Sequence, residues 1–390
     1  MRRIYLDHNA TTPLHPEALK AMLPFLQGNY GNASSIHFFG REARAALDDA
    51  RERFAALLGA KAGEIVFTGS GTEADDHAVI GAARAFRDKG RHIVISPIEH
   101  HAVLHSAEYL QKRDGFEVTL LPVGRDGIVS PDDVRRALRP DTTLVSVMWA
   151  NNETGTLQPV REIGAVCRER GVLFHTDAVQ AFGKVPVSVR DLPVDLLSVS
   201  AHKIYGPKGT GALWIRPRLK IDSLVHGGSH ENDRRAGTEN IAGIMGFVRA
   251  AEVVLPRIAD EDARLRALTG RLWEGLRGRI EDIERNGHAT QHVPNTLSVG
   301  FRGCTSDTLL MSLDLDGIAV SSGSACAVGS LKPSHVLLAM GLGSELANAA
   351  VRFSLGASTT EEDVDTVIEV MPPIINRLRS FQGAGQSVRQ

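Results

Sequence analysis

Lys203 is the residue whose type and position suggest chemistry most directly. It follows the apolar stretch 196–199 and stands in a turn, residues 200–209, that is rich in serine, histidine, glycine and proline. An amine delivered at the end of a strand can hold an aldehyde cofactor as a Schiff base, with hydroxyls nearby to receive a phosphate. Pyridoxal phosphate is therefore the first hypothesis, and a surface lysine in a loop is the alternative that this stretch alone leaves open.

A carboxylate follows the next apolar run upstream. Asp177 ends the predicted strand 172–176, and Gln180 comes three residues later. A carboxylate held against the ring nitrogen of pyridoxal phosphate keeps that nitrogen protonated, and a glutamine can hydrogen-bond the phenolic oxygen. An aspartate that caps a loop is the alternative for Asp177 taken alone. Another predicted strand, 143–148, ends at the polar segment 151–155, and open α/β sheets bind ligands outside the carboxyl ends of their strands.

The run 65–68 followed by 69–73 predicts a seat for a phosphate. Its glycines let backbone N–H groups approach an anion, and a helix is expected to begin near Thr72. A histidine pair, His100 and His101, follows a further strand at 93–95. A flat imidazole can stack on a cofactor ring and move protons near neutral pH, whereas His101 is expected to be structural or exposed. The spacing of histidines and cysteines predicts no metal site.

Together these motifs resemble the cysteine desulfurases of the NifS/IscS type, which are homodimeric enzymes in the class-V aminotransferase family. The resemblance implies the pyridoxal-phosphate-dependent transferase fold type I, an aspartate-aminotransferase-like α/β fold with a mainly parallel seven-stranded sheet and a smaller α+β domain. The similar stretches are residues 5–12, 71–75, 99–103, 151–155, 175–180, 202–209, 236–240 and 324–326. The chain departs from the family in having Gly69-Ser70 for Ser-Gly and Ala236 for a serine, and the first departure puts in doubt which backbone donors meet the phosphate.

The resemblance also implies a role for each site residue. Lys203 carries the cofactor, His100 stacks on its ring and Asp177 faces its nitrogen. The remaining cofactor-binding residues are Asn152 and Gln180 along the ring, and Gly71, Thr72, Ser200, His202 and, from the other subunit, Thr238 at the phosphate. Arg352, a charge inside the predicted core strand 351–354, is the candidate for binding the substrate carboxylate, with Asn32 nearby by resemblance.

Cys326 is the residue that distinguishes a cysteine desulfurase from other enzymes that use pyridoxal phosphate. It lies in a run of small residues, 321–330, without a periodic apolar face, and such a segment is predicted to be a mobile loop. A mobile thiol suits a carrier of sulfur. Cys167, by contrast, falls at helical spacing with Ile163 and is expected to be an inert core residue, and Cys304 has no expected function.

The expected reaction removes sulfur from L-cysteine, releases L-alanine and leaves a persulfide on Cys326 for an acceptor protein. Iron–sulfur scaffold assembly is the default pathway by resemblance, while tRNA thiolation and DNA phosphorothioation use similar enzymes. A selenocysteine lyase or a small-molecule aminotransferase of the same fold is the nearer alternative. A non-catalytic scaffold for sulfur transfer is the more distant one.

The length, composition and charge of the chain limit its possible domain organisation, partners and location. The chain has 390 residues, of which 43% are hydrophobic, and this can bury a large core. The predicted division is a large cofactor-binding domain at 15–256 and a smaller domain formed by 1–14 and 257–390, with a crossing near Pro256 and a disordered tail at 382–390. A net charge of −2 with both signs interspersed predicts neither nucleic-acid nor membrane binding. The absence of a signal-like segment and the three cysteines predict a cytoplasmic protein.

Overall fold

The computed structural model describes residues 3–322 and 333–387, so Cys326 and residues 388–390 lie outside the described part. The strands are β1 (Ile4–Tyr5), β2 (Ile65–Thr68), β3 (His92–Ile95), β4 (Glu117–Leu120), β5 (Thr142–Ser146), β6 (Leu173–Asp177), β7 (Leu196–Ser200), β8 (Gly211–Ile215), β9 (Ile283–Asn286), β10 (Thr296–Phe301), β11 (Ile318–Ala319) and β12 (Ala350–Ser354). The helices are α1 (Pro16–Gln27), α2 (Phe38–Leu58), α3 (Gly71–Asp76), α4 (Ala82–Ala85), α5 (His101–Asp114), α6 (Pro131–Ala137), α7 (Val160–Glu169), α8 (Ile241–Val254), α9 (Ile258–Arg277), α10 (Ser306–Leu315), α11 (His335–Ala339), α12 (Ser344–Ala347) and α13 (Glu361–Ser387).

The larger sheet has seven strands in the order β2, β8, β7, β6, β5, β3, β4. Strands β3 to β7 pair in parallel, and β8 runs antiparallel to both of its neighbours. The central strands are buried along their whole length because helices cover both faces of the sheet, as parallel sheets require. This arrangement confirms the predicted α/β fold with a mainly parallel seven-stranded sheet.

The register of the parallel strands places several polar side chains at one edge of this sheet. His175 pairs with Ser146 of β5, and Asp177 pairs with Ser198 of β7. The carboxyl ends of β5, β6 and β7 therefore lie next to one another. Any residue that directly follows one of these strands reaches the same region of the molecule.

A second, three-stranded antiparallel sheet has the order β12, β10, β9. The N-terminal residues lie beside it, because the Ser354 N–H donates to the Leu6 carbonyl oxygen at 2.7 Å. Strands β1 and β11 form a separate parallel pair. Helices α9, α10 and α13 pack around a separate apolar core with these strands. A turn at Leu255–Arg257, which contains Pro256, separates α8 from α9.

Helix α13 extends further than the sequence indicates. It runs to Ser387, five residues beyond the point at which the sequence predicts a disordered tail from residue 382. Val364, Val367 and Met371 anchor its first half in the core. Because adding residues to an established helix costs far less than nucleating one, the helix continues into a polar segment that would not form it alone. No helix in the described ranges has the length and apolar character needed to cross a membrane.

Candidate active site

A cavity of about 450 Å³ lies at the edge where β5, β6 and β7 end. Residues that end or directly follow these strands form much of its wall, and the N-terminal segment, α3, α5, α11 and β12 also contribute. Most of the residues that the sequence assigns to a site line this one cavity. They are Gly71, Thr72, His100, Asn152, Asp177, Gln180, Ser200, His202, Lys203 and Arg352.

Lys203 lies at the cavity wall, in a short turn directly after β7. Its Nζ atom donates to the backbone carbonyl oxygens of Asn9 and Ala10, at 2.6 and 2.7 Å. The backbone of the same turn is tied to the N-terminal segment, since Thr12 Oγ1 donates to the His202 carbonyl oxygen at 2.9 Å. The amine is therefore fixed where an aldehyde bound in the cavity can react with it.

Asp177 ends β6 with its carboxylate enclosed by protein. Its Oδ1 atom accepts the backbone N–H of Val179 at 2.8 Å. Burial raises the pKa of Asp177 to about 6, although the Val179 N–H and the Lys203 ammonium act in the opposite direction. A cationic ligand atom beside this carboxylate would bring the pKa back toward its ordinary value.

A second carboxyl group, that of Asp75 on α3, also lines the cavity. Burial and the charge of Asp177 raise the pKa of Asp75 well above its ordinary value. Within residues 3–322 and 333–387, the Asp75 Oδ1 atom has no hydrogen-bond partner, and the His175 Nε2 atom lies 3.6 Å from it. Burial lowers the pKa of His175 to about 3, so this imidazole is neutral and supplies no positive charge. The buried carboxyl groups of Asp177 and Asp75, with the Asp75 Oδ1 atom able to accept a hydrogen bond, can bind a protonated ring nitrogen.

His100 precedes α5 and caps its N-terminus. Its Nδ1 atom accepts the backbone N–H of Ala102 at 3.1 Å, which leaves the proton of the neutral ring on Nε2. Burial, followed by the charge of Lys203, lowers the pKa of His100 to about 4. The imidazole is therefore uncharged near pH 7 and can lie against a planar ligand.

The loop before α3 forms a narrow recess. A Cβ atom at Gly71 would lie 3.0 Å from Val179 Cγ2 and 3.1 Å from Ser200 Cβ, so a side chain there would fill the recess. The reversed pair Gly69-Ser70 serves the helix, since the Gly69 N–H donates to Glu73 Oε2 and the Ser70 Oγ accepts the Glu73 N–H. The recess can therefore offer a phosphate the backbone groups at Gly71 and Thr72.

Arg352 reaches the cavity from β12. It is only 2% exposed, and it donates through Nη2 to Asp7 Oδ1 at 2.7 Å and through Nη1 to the Asn152 carbonyl oxygen at 2.8 Å. Its Nε has no partner among the residues that the structure describes. A guanidinium with an unused donor at a cavity wall can bind a carboxylate ligand.

Two of the predicted residues that the structure describes, Asn32 and Thr238, do not line this cavity. Asn32 is exposed, and its Oδ1 atom accepts the N–H of Ser34 at 2.9 Å. Its expected position beside Arg352 is not seen within one chain, because Asn32 lies in the surface segment between α1 and α2. Thr238 is likewise exposed and is not among the lining residues, and Cys326 lies outside the described residues.

Asn9 is a site residue that the sequence does not reveal by its type. Its carbonyl oxygen accepts from Gln180 Nε2 at 2.9 Å as well as from Lys203, and its Nδ2 atom donates to the Asn152 carbonyl oxygen at 3.1 Å and to Thr296 Oγ1 at 2.8 Å. Asn9 thus joins the two sheets at the cavity. Its place inside the similar stretch 5–12 is the signal that points to it.

This fold and this cavity define a class of enzyme. The Gly71 recess fits a phosphate, the Asp177 and Asp75 carboxyls fit a protonated ring nitrogen, and Lys203 fits the aldehyde of pyridoxal phosphate. The molecule thus has the architecture of the pyridoxal-phosphate-dependent enzymes of fold type I. Within the described ranges, no group of three or more histidine, cysteine, aspartate or glutamate residues is arranged to hold a metal ion.

The chain belongs to the aminotransferase class-V family, whose model matches residues 4–367. It is 49% identical to a cysteine desulfurase IscS from Dictyoglomus turgidum, over 97% of this chain and 96% of that relative. A solved structure described as a NifS-like protein superposes with a TM-score of 0.90 at 38% identity and covers 97% of this chain and 100% of its own. The structure of SspA in complex with cysteine has a TM-score of 0.80 at 35% identity, over 90% of this chain and 98% of that one. Members of this family depend on pyridoxal phosphate.

Proposed function

We propose that the chain is a pyridoxal-phosphate-dependent cysteine desulfurase that converts L-cysteine to L-alanine and leaves the sulfur as a persulfide on Cys326. The observation that carries this proposal is the position of the residues on either side of the segment that contains Cys326. The Arg352 N–H donates to the Ser321 carbonyl oxygen at 2.6 Å, and His335 lines the cavity. The segment 323–332 is therefore preceded by a residue paired with the backbone of the cavity residue Arg352 and followed by the cavity residue His335. A thiol in that segment has a use in sulfur transfer but none in transamination.

The relatives support the same activity. The matched curated proteins are named cysteine desulfurases, and the related SspA structure contains cysteine itself. Selenocysteine lyase and aminotransferase activities are the alternatives within the fold, and a non-catalytic scaffold is the alternative outside it. A scaffold would need neither Lys203 nor the buried Asp177.

The residues of the cavity divide the work between binding and proton transfer. When bound, pyridoxal phosphate supplies an electron sink that lets an amino acid release its α-proton and that weakens the bond to its sulfur. Arg352 binds the substrate carboxylate and Lys203 moves the α-proton. Asp177 holds the proton on the ring nitrogen, and His100 covers the ring face as a neutral imidazole. Gly71, Thr72, Ser200 and His202 hold the phosphate, while Asn152 and Gln180 line the ring.

Cys326 takes the sulfur in the step that distinguishes this reaction. Its thiolate attacks the sulfur of the substrate, so that an S–S bond forms while the bond between that sulfur and the β-carbon breaks. The electron pair of the broken bond stays with carbon, which gains a proton and leaves as alanine. The persulfide on Cys326 then passes its outer sulfur to a protein acceptor, with iron–sulfur cluster assembly as the proposed pathway.

A homodimer is part of this proposal. Exposed apolar side chains lie in α1, in the segment after it and at the start of α2, with Tyr30 at 73% and Ile36 at 90% exposure, and a patch of this kind indicates an interaction surface. The other members of the patch are Leu19, Leu23, Leu26, Phe38 and Phe39. Burying the patch against a second copy would account for its exposure, and it would let the exposed Asn32 and Thr238 serve the neighbouring cavity. Light scattering of the purified chain measures the mass that decides this.

Two further assignments complete the proposal. The large domain spans 15–256 and the smaller one comprises 1–14 and 257–390, which agrees with the separate apolar core around the three-stranded sheet. A cytoplasmic location is consistent with the free thiols of Cys167 and Cys304. Neither nucleic acid nor membrane is proposed as a direct partner.

The activity is tested by supplying L-cysteine with a thiol reductant and measuring alanine and sulfide together. A desulfurase forms the two products in equal amounts, because the reductant releases the sulfur held on the enzyme. Pyruvate formation from alanine with a keto-acid acceptor would instead indicate an aminotransferase. A strong preference for L-selenocysteine over L-cysteine would indicate a selenocysteine lyase, and a colourless, inactive protein would indicate a scaffold.

Asp177→Asn is expected to slow turnover about a thousandfold while the fold survives. The amide keeps an acceptor for the Val179 N–H but carries no charge to hold a proton on the ring nitrogen, and about 4 kcal/mol of transition-state stabilisation corresponds to that loss. Alanine production and the thermal unfolding temperature are measured together. Asp195→Asn is the control, since Asp195 is buried directly before β7, accepts the Phe174 N–H and pairs with Arg216, and does not line the cavity. Near-normal turnover of folded Asp177→Asn would remove Asp177 from the mechanism.

A further inference from the structure

Lys184 is a second amine close to the cofactor site. It follows Gln180 by four residues, and its Nζ atom donates to Gln180 Oε1 at 2.5 Å and to Asn9 Oδ1 at 3.0 Å. Lys184 is half-buried, and its amine contacts the buried side chains of Gln180 and Asn9. In the described part of the chain no carboxylate forms an ion pair with it, and the acceptors of these two hydrogen bonds are neutral amide oxygens.

The surroundings of the Lys184 amine disfavour its protonated form. Burial lowers the pKa of Lys184 well below its ordinary value, and the positive charges of Lys203 and Arg352 lower it further. The titratable groups that line a neighbouring cavity together with Lys184 are His8, His15, Lys203, Tyr205, Arg257 and Glu261. The pKa of His8 is lowered to about 4 by burial and, to a smaller extent, by Lys184. A methionine would occupy a similar volume without the cost of enclosing a charge. The amine must therefore contribute something that an apolar side chain would not.

Its contribution is to the orientation of the Gln180 side chain. Because the Lys184 Nζ atom donates to both of its partners, it requires the oxygen of the Gln180 amide on its side. The amide nitrogen then faces the Asn9 carbonyl oxygen, to which it donates at 2.9 Å. In the flipped amide, the nitrogen would face an ammonium group and the oxygen would face a carbonyl oxygen, and both contacts would be repulsive. Gln180 is thus held with its nitrogen, which has a second N–H, at the wall of the cavity.

We propose that Lys184 is a positioning residue that fixes Gln180 as a hydrogen-bond donor to the phenolic oxygen of bound pyridoxal phosphate. The inference rests on the cofactor and on the Gln180 role proposed above. A donor at that oxygen favours its anionic form, and the ammonium of Lys184 acts electrostatically in the same direction. Removing the Lys184 amine should therefore raise the pKa of the bound cofactor.

The test is a pH titration of the visible absorption of the holoenzyme without substrate. Lys184→Met is expected to raise the midpoint of the spectral transition by about one pH unit, a tenfold change in proton affinity, since a hydrogen bond to a charged group is worth at least that much. Lys184→Arg keeps a cationic donor and should restore most of the wild-type midpoint. Lys220→Met, at an exposed position, is the matched control and should leave the midpoint unchanged.

A double-mutant cycle separates positioning from general stability. Gln180→Leu should raise the midpoint by itself, and adding Lys184→Met should then shift it by clearly less than in the wild-type background, because only the electrostatic part remains. Equal shifts in the two backgrounds, or an unchanged midpoint in cofactor-loaded Lys184→Met, would overturn the inference. If Lys184→Met does not fold, Lys184→Gln takes its place. The same upward shift of the midpoint is expected, and an unchanged midpoint would overturn the inference. A wild-type protein without a visible cofactor band would instead overturn the proposed function.

Discussion

Lys203→Ala is expected to abolish turnover and to make cofactor binding non-covalent. Treatment with borohydride, which reduces the linkage between a lysine and pyridoxal phosphate, should fix the cofactor to the wild-type protein and leave this variant unlabelled in mass spectra. Turnover should fall by more than about 10⁴-fold, or more than about 5 kcal/mol, because both the covalent anchor and the group that moves the α-proton are lost.

Lys184 does not offer a substitute for Lys203. Its amine is engaged by Gln180 and Asn9, and it is absent from the residues that line the cavity. Lys220→Ala, at an exposed position, is the control and should keep full labelling. Covalent fixation of cofactor by Lys203→Ala at the wild-type stoichiometry would show that another amine is the anchor.

Cys326→Ala should separate the two halves of the reaction. None of the cofactor-binding roles proposed above falls on this thiol, so the variant should stay yellow and its visible spectrum should still change when L-cysteine is added. Without a nucleophile for the sulfur, it should form no persulfide, and alanine production should fall by at least about a hundredfold, or about 2.7 kcal/mol. Mass spectrometry of the wild-type protein after cysteine treatment should find one added sulfur on the peptide that contains Cys326.

The other two cysteines serve as controls. Cys167 is fully buried on α7, and burial raises the pKa of its thiol to about 12, so it is not a thiolate near neutral pH. Burial also raises the pKa of Cys304. Substitution of either by alanine should leave alanine production unchanged, apart from a packing cost of roughly 1–2 kcal/mol in stability at Cys167. An added sulfur on Cys304, or full alanine production without Cys326, would contradict the assignment.

The parts of the site that depend on local order along the chain could be predicted from the sequence. Lys203 and Asp177 each follow an apolar strand, and parallel strands end at a common edge, so the strand pattern alone predicts that they meet. Pro256 likewise indicates the break that the structure places between α8 and α9.

The parts that depend on distant contacts could not be predicted. Asn9 is fixed by hydrogen bonds to groups at positions 152, 180, 203 and 296, and no periodicity records such contacts. The orientation of Gln180 depends on Lys184, which reads in the sequence as an ordinary loop lysine. The end of α13 depends on packing that begins near Val364, so composition alone places a tail where a helix continues to Ser387.

The attachment of the N-terminal segment sets an order of events in protein synthesis. The carbonyl oxygens that hold Lys203 belong to Asn9 and Ala10, and the same segment is paired with β11 and β12, near the other end of the chain. The residues made first by the ribosome must therefore wait for strands that are made late. Contacts this far apart in sequence form slowly. A nascent chain that ends before residue 354 can build the seven-stranded sheet but cannot complete the wall around Lys203, so cofactor capture is confined to the last stage of folding.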